Sequence, residues 1–369
     1  MHIVRRPWYP YHDLRPRGNS ADVRVTIRDV AERAGVSPMT VSRVINDSPR
    51  VHDGTRRRVE AAIAELGYVP NRLARGLIRR KTGALGVIVP DVANPFFTLV
   101  VRGAEEVAWR AGYHVILCNT QADLERERGY LEDMLSFQVE GLLIAPVSDR
   151  SRPHLRVLTQ NSVPFVLVDR TIAGYEGDLV QGDSVVGARQ LIDHLIGLGH
   201  RRIAMITETD EVSTARDRFL GYREALEGAG IEFRPELVAE ASVVDPRGAH
   251  EATCRLLELP EPPTAIFSVN NIAVVGVAEA ARERGLRIPH DVALVCFDDI
   301  EHASRFHPFL TVMAQPAETF GTIATQLLLD RLAGRIAERR RIVVLPADFL
   351  VRESSGAAMP VAANHRGLM

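Results

Sequence analysis

Residues 26–47 read TIRDVAERAGVSPMTVSRVIND, and this stretch decides the N-terminal fold. Thr26 is a natural N-cap, and Ile27, Val30, Ala31 and Ala34 recur on one helical face. Gly35 stops that helix, because glycine adopts the left-handed conformation past a helix C-terminus without strain. Ser37 caps a second helix with Pro38 at its first position, and Val41, Val44 and Ile45 form its apolar stripe. Two short helices joined by a Gly-Val-Ser turn make a helix-turn-helix. A third helix is expected over residues 55–66, packing through Val59, Ala62, Ile63 and Leu66, with Gly67 as its stop.

In this motif the N-terminal part of the second helix enters the DNA major groove. Its outward residues are Pro38, Met39, Thr40, Ser42 and Arg43. Arg43 can donate two hydrogen bonds to guanine O6 and N7, worth about 1–3 kcal/mol of base discrimination. Ser37, Thr40 and Ser42 suit phosphate oxygens, which fix register without reading sequence. Pro38 and Met39 offer apolar contact to thymine methyls. Thr26 and Asn46 complete the candidate DNA-contact set of this segment.

Charge agrees with a polyanionic partner for this end. The chain has 369 residues and a formal charge of −2. Residues 1–81 hold 17 Lys and Arg against 8 Asp and Glu, a net +9, and the remainder is −11. No apolar run is long enough for a membrane span, and residues 1–24 contain arginines and prolines but no apolar core of a secretory signal. Cys118, Cys254 and Cys296 form no CxxC pair, so reduced thiols in the cytoplasm are expected, for a protein of the nucleoid.

The segment from Val25 to Asp47, followed by YVPNRLARGL at 68–77, resembles the lactose/galactose repressor family of transcriptional regulators. The resemblance extends over residues 81–352 and leaves 1–24 and the tail from 356 without a counterpart. On the residues alone, NRLARGLIR at 71–79 forms one short amphipathic helix, too short to be stable by itself in water. The resemblance implies that it is a hinge helix, that Asn71 contacts DNA, and that Leu77 wedges into the minor groove and kinks the duplex. The alternative for Leu77 is packing on the sensor domain.

Residues 84–350 alternate apolar runs with helical patterns, an α/β plan of parallel, doubly covered sheets. Strands are expected at 86–90, 114–119, 141–145, 165–169, 180–181, 203–207, 265–269 and 292–297, with helices at 97–111, 126–137, 185–198 and 218–229 between them. The length exceeds what one core usually serves, so two lobes are expected. The family resemblance implies a two-lobed, periplasmic-binding-protein-like (type I) sensor over 82–355. Its first lobe would be 84–199 with 316–345, and its second 200–315 with 346–352. The headpiece would then be 25–70 and the hinge 71–81.

Ligands of open α/β sheets sit at the carboxyl ends of strands. Asp91, Asn94, Phe96 and Phe97 follow the first strand there, and Asp169 and Arg170 the fourth. Arg216 and Arg218 follow the first strand of the second lobe, Asn270 and Asp298 end later strands, and Gln315 lies in a crossover. Carboxylates, amides and arginines beside aromatic faces suit a polyhydroxylated ligand, whose hydroxyls need both donors and acceptors. Each also has a structural reading: Phe96 and Phe97 as core, Asp298 as a loop cap, Arg218 as a surface ion pair. The resemblance implies effector contact at Phe96, Phe97, Arg218, Asn270 and Asp298, and the whole pattern resembles sugar-binding, especially pentose-binding, members. Ser242, Val243 and Val244 stand where relatives often carry an aromatic platform.

A periplasmic solute-binding protein would lack the helix-turn-helix, and no HExxH, Walker A, GxGxxG or GxSxG pattern marks an enzyme. The expectation is a non-enzymatic homodimer on a palindromic operator, without cofactor, answering to a small molecule.

Overall fold

The computed structural model describes residues 25–69, 82–242, 244–335 and 340–357. Residues 1–80 and 81–369 form two separate compact units. The expectations for Asn71, Leu77, the hinge segment, Val243, residues 1–24 and the end of the tail lie outside the described residues.

The headpiece contains α1 (Ile27–Ala34), α2 (Pro38–Ile45) and α3 (Asp53–Leu66). Thr26 and Asp29 form a reciprocal capping box, with Thr26 N donating to Asp29 Oδ2 at 2.7 Å. Gly35 and Gly67 take positive φ values of 64° and 61° as C-caps. Ser37 Oγ accepts from Thr40 N at 3.2 Å at the start of α2. The α3 helix begins two residues before the expected Thr55, with Asp53 in its first turn, where a carboxylate favours the helix dipole. Val30, Val41 and Val59 are fully buried at the centre, with Ala31, Ala34, Val44 and Ala62 around them.

The second unit has two six-stranded sheets. The first is built from β1 (Ala84–Val89), β2 (His114–Asn119), β3 (Gly141–Ile144), β4 (Phe165–Val168), β5 (Asp178–Gly182) and β11 (Ile342–Leu345), in the order β11-β5-β4-β3-β1-β2, all parallel. The second has β6 (Ile203–Thr207), β7 (Val238–Glu240), β8 (Ala265–Ser268), β9 (Ala293–Phe297), β10 (Thr311–Ala314) and β12 (Asp348–Leu350), in the order β12-β10-β9-β8-β6-β7. Only β12 runs antiparallel to its neighbour there. The central strands are buried on both faces, which explains their continuous apolar sequence.

Helices cover both faces of the sheets. In the first lobe α4 (Pro95–Arg110) lies on α12 (Ala317–Leu332), while α5 (Leu124–Ser136) and α6 (Arg152–Gln160) cover the other side. A Cβ on Gly103 would sit 2.0 Å from Glu318 O, and one on Gly321 would sit 1.9 Å from Val100 O, so α4 and α12 meet through glycine. In the second lobe α7 (Ser184–Gly197) pairs with α8 (Ser213–Gly228), and α9 (Pro246–Leu257) with α10 (Ala273–Glu283), and the short α11 (Glu301–Phe306) follows β9.

One boundary differs from the expected division at 199. Ala188, Leu191, Ile192 and Leu195 of α7 pack with Ile203, Tyr222 and Phe297, in the core of the second lobe. The chain therefore changes lobe at Asp183, immediately after β5, because the apolar face of α7 matches the second sheet. It changes again around Gln315 and between β11 and β12. The α8 helix starts five residues before the expected 218 and takes up both Arg216 and Arg218.

Candidate functional site

Two aspartates sit at equivalent places in the two lobes. Asp169 follows β4 and Asp298 follows β9, each with φ near +67°, at 66° and 68°. The backbone N–H of Asp169 donates to Val180 O at 2.8 Å, and that of Asp298 to Met313 O at 2.9 Å. The left-handed turn costs on the order of 1–3 kcal/mol at a non-glycine residue, and aspartate is among the side chains that tolerate it best. Its effect is to end each strand abruptly at the carboxyl edge of its sheet, where both carboxylates are buried.

Two buried arginines meet them. Arg218 Nη2 lies 3.7 Å from Asp298 Oδ2, Nη1 donates to Val269 O at 2.7 Å, and the guanidinium stands 3.8 Å over the Phe297 ring. Arg170 Nε lies 3.9 Å from Asp169 Oδ2, and Nη1 donates to Val147 O at 3.2 Å. Arg170 Nη2 reaches Glu208 Oε2 of the second lobe at 3.5 Å. Gln315 Nε2 donates to Asp298 Oδ1 at 2.8 Å. A Cβ on Gly182 would lie 1.9 Å from Gln315 Oε1, so a larger residue there would displace the Gln315 side chain from its present position.

Burial dominates the electrostatics. It raises the Asp169 carboxyl to about 6, against the pull of Arg218 and Arg170 and with Asp298 and Glu208 adding to the rise. It also raises Glu208, against Arg170 and Arg218, and Asp298, against Arg218 and the Gln315 hydrogen bond. Asp169 Oδ1, Arg170 Nε, Thr207 Oγ1, Arg218 Nε and Gln315 Oε1 are buried without a hydrogen-bond partner in the protein. Buried polar atoms left this way are uncommon and costly, and here they converge on one place between the lobes.

The structure thus brings together Asp169, Arg170, Arg218, Asp298 and Gln315. Asn270 stands beside them but spends Oδ1 on the N–H groups of Ile272 and Ala273 at the start of α10. Asn94 Oδ1 accepts from Phe96 N at the start of α4, and Asp91 Oδ1 accepts from Ala93 N in the same turn. Phe96 and Phe97 belong to the first lobe's core, where Phe96 meets Phe97 and Phe320 edge-on at 5.2 and 5.4 Å. Arg216 is not part of the cluster. Its Nη1 pairs with Asp149 across the lobes at 2.9 Å and donates to Asp210 O.

Sequence reasoning passed over Glu208, Thr207 and Glu127. Glu208 directly follows β6, a strand-end position like those of the residues that were singled out. Glu127 looks like one charge among many in LERERGYLEDM, yet it is fully buried. Its Oε2 accepts from Val147 N and Ser151 Oγ at 2.8 and 2.9 Å, and its Oε1 lies 3.0 Å from His154 Nδ1. It therefore fixes the loop whose Val147 carbonyl holds Arg170.

The lobes also touch through two backbone N–H donors: Asp149 N donates to Glu211 O, and Thr171 N to the Ser213 hydroxyl Oγ, both at 2.9 Å.

On the headpiece, Ser37, Pro38 and Arg43 are exposed, as is Met39 at 63%, and Thr40, Ser42 and Asn46 are half-buried. Ser37 Oγ and Thr40 Oγ1 lie 3.0 Å apart, so part of their hydrogen-bonding capacity serves the helix cap. Thr26 is committed to its capping box with Asp29. No helix among the described residues is long and apolar enough to cross a membrane.

Residues 26–71 match a family model described as bacterial regulatory proteins, lacI family, and residues 192–355 match one described as a periplasmic binding protein-like domain. The chain is 35% identical over 322 residues to the ribose operon repressor of Escherichia coli (strain K12), covering 87% of this chain and 97% of that protein. It resembles a solved complex of the transcriptional regulator CelR with cellobiose, at 33% identity and a TM-score of 0.66, over 90% of this chain and 100% of that one. It also resembles the Lac repressor dimer bound to operator and the anti-inducer ONPF, at 29% identity and a TM-score of 0.76, over 90% of this chain and 99% of that one.

Proposed function

This chain belongs to the lacI family of bacterial regulatory proteins, and from that premise we propose that it is a cytoplasmic transcriptional repressor whose operator affinity is set by a sugar-like effector bound between its two sensor lobes. The observation that carries the effector half is the set of buried, unpartnered polar atoms at Asp169, Arg170, Thr207, Arg218 and Gln315. They supply both donors and acceptors, which is what the hydroxyls of a polyol require. The DNA half rests on the exposed outer face of α2, where Arg43 projects away from the buried Val41 and Val44.

Two copies pair so that their α2 helices address the half-sites of a palindromic operator, as the dimeric Lac repressor engages its operator. In the hinge segment, Asn71 and Leu77 contact the minor groove, with Leu77 as the wedge. Arg43 reads bases, while Thr26, Ser37, Pro38, Met39, Thr40, Ser42 and Asn46 frame the contact with backbone and groove. Asp298 and Arg218 hold the effector from the second lobe and Asp169 and Arg170 from the first. Asn94 and Asn270 shape the two helix starts beside them, and Phe96 and Phe97 support the first-lobe wall from its core. Asp91 lines the rim and Arg216 ties the seam. A ligand touching both lobes changes the angle between them only to the extent that it binds one arrangement better, typically by about 1–3 kcal/mol. The reading assigns no catalytic step to any residue.

The test is selection of a preferred DNA sequence from a random pool by the purified full-length protein, followed by gel shifts across a salt series. Wild type should enrich a palindrome with steep salt dependence. Arg43→Ala should relax preference at one position per half-site by about 1–3 kcal/mol. Absence of any enriched sequence overturns the proposal, and unchanged preference in the variant removes Arg43 from base reading.

A further inference from the structure

The cleft holds two buried carboxylates, Asp169 and Asp298, and a third, Glu208, with 12% of its side chain exposed, against two buried guanidinium groups, Arg170 and Arg218. With all five ionised the cluster carries one net negative charge. We infer that the cleft selects an uncharged polyhydroxylated ligand and rejects its phosphorylated counterpart, and that Glu208 is the residue that sets this preference. The inference deepens the effector reading above and rests on it.

Orientation of the arginines supports the same conclusion. An arginine captures a phosphate by presenting two parallel N–H groups as a fork. Here the terminal nitrogens of Arg170 are turned to Val147 O and Glu208, and those of Arg218 to Val269 O and Asp298. The Nε–H of each is buried without a hydrogen-bond partner in the protein, and the Nη2 beside it already lies against a carboxylate, Glu208 for Arg170 and Asp298 for Arg218. A single N–H suits a hydroxyl oxygen, and Asp169 Oδ1 and Gln315 Oε1 stand ready to accept the hydroxyl protons. A phosphate would instead add its charge to a buried, net-acidic site, where repulsion is poorly screened.

The surrounding charges do not reverse the sign. Arg216 is paired with Asp149 and Arg352 with Asp299, while Asp217, beside Arg218, adds another carboxylate. A cavity of about 530 Å3 that Glu208 also lines carries Asp123, Glu125 and Glu211 against Arg150 and His154, so the adjoining space is acidic as well. Glu208 is the decisive member because it faces Arg170 from the other lobe and lies near Arg218. Replacing it by the isosteric glutamine brings the five-residue cluster to zero and loosens Arg170 for an incoming anion.

Calorimetric titration of the full-length protein with matched probes tests this: D-ribose against D-ribose 5-phosphate, and D-glucose against D-glucose 6-phosphate. Wild type should bind the neutral member of at least one pair tenfold or more tightly than its phosphate, and Glu208→Gln should narrow that ratio at least fivefold. A wild-type preference for the phosphate, or parity, overturns the charge inference while leaving the effector reading intact, and needs no variant to fold. An unchanged ratio in a folded Glu208→Gln protein removes Glu208 from selection. Silence from all four probes counts against the sugar reading itself, and this inference falls with it.

Discussion

Replacing Asp169 by asparagine should change how stability depends on pH, and the direction distinguishes a burial-dominated carboxylate from an ordinary ion pair. The carboxyl is raised from 3.8 to about 6, chiefly by burial, with Arg218 and Arg170 pulling it down and Asp298 and Glu208 pushing it up. For an acid raised on folding, the folded state keeps a proton that the unfolded state has released. Its contribution to stability is thus fully present below about pH 3.8 and is lost as pH climbs through about 6. A displacement of roughly two pH units corresponds to about 3 kcal/mol. Asparagine cannot ionise, tolerates the left-handed backbone at this position, and nearly preserves shape. The stability of the variant relative to wild type should therefore rise by about 2–3 kcal/mol between pH 4 and pH 8. Urea unfolding of both proteins followed by far-ultraviolet circular dichroism, at one-unit pH steps, reads this difference directly, and contributions common to both proteins cancel. A flat difference, or one that moves in favour of wild type as pH rises, would mean that the arginines fully satisfy the carboxylate. The unpartnered Oδ1 would then cease to be an argument for a ligand.

Two further substitutions separate structural from binding roles. Phe96→Ala should cost about 3–5 kcal/mol in unfolding free energy, because the ring fills the first lobe's core against Phe97 and Phe320; a variant of native stability that has lost only ligand affinity would instead make Phe96 a wall of the cleft. Arg216→Ala removes a partly exposed inter-lobe pair with Asp149 and should cost less than about 1 kcal/mol of stability. Ligand affinity, measured by calorimetry, should nevertheless fall a few-fold, since the tie joins the two lobes, and unaltered affinity would show that this seam does not contribute to the closed arrangement.

The headpiece could be read residue by residue from the chain because its signals are local. Thr26 with Asp29, Gly35, Ser37 before Pro38, and the Val41–Val44 stripe act over three or four residues, within one helical turn. The alternation of apolar strands and helices likewise announced predominantly parallel sheets, since a strand buried on both faces must be apolar throughout. Strand-end positions pointed to Asp169 and Asp298, and the family resemblance together with a crossover position to Arg218 and Gln315. What the chain alone did not disclose was allegiance and partnership. The α7 helix follows first-lobe strands in sequence but buries its apolar face on the second sheet, and a periodic stripe does not say which core receives it. Glu127 and Glu208 have the composition of surface residues, and only the fold buries one beneath the Val147 loop and sets the other against Arg170. Arg216 and Arg218, two residues apart on one helix, go to a partly exposed seam and to a buried cluster respectively. A charged side chain takes its role from the charges that long-range folding places within a few ångströms, and sequence spacing carries no record of that distance.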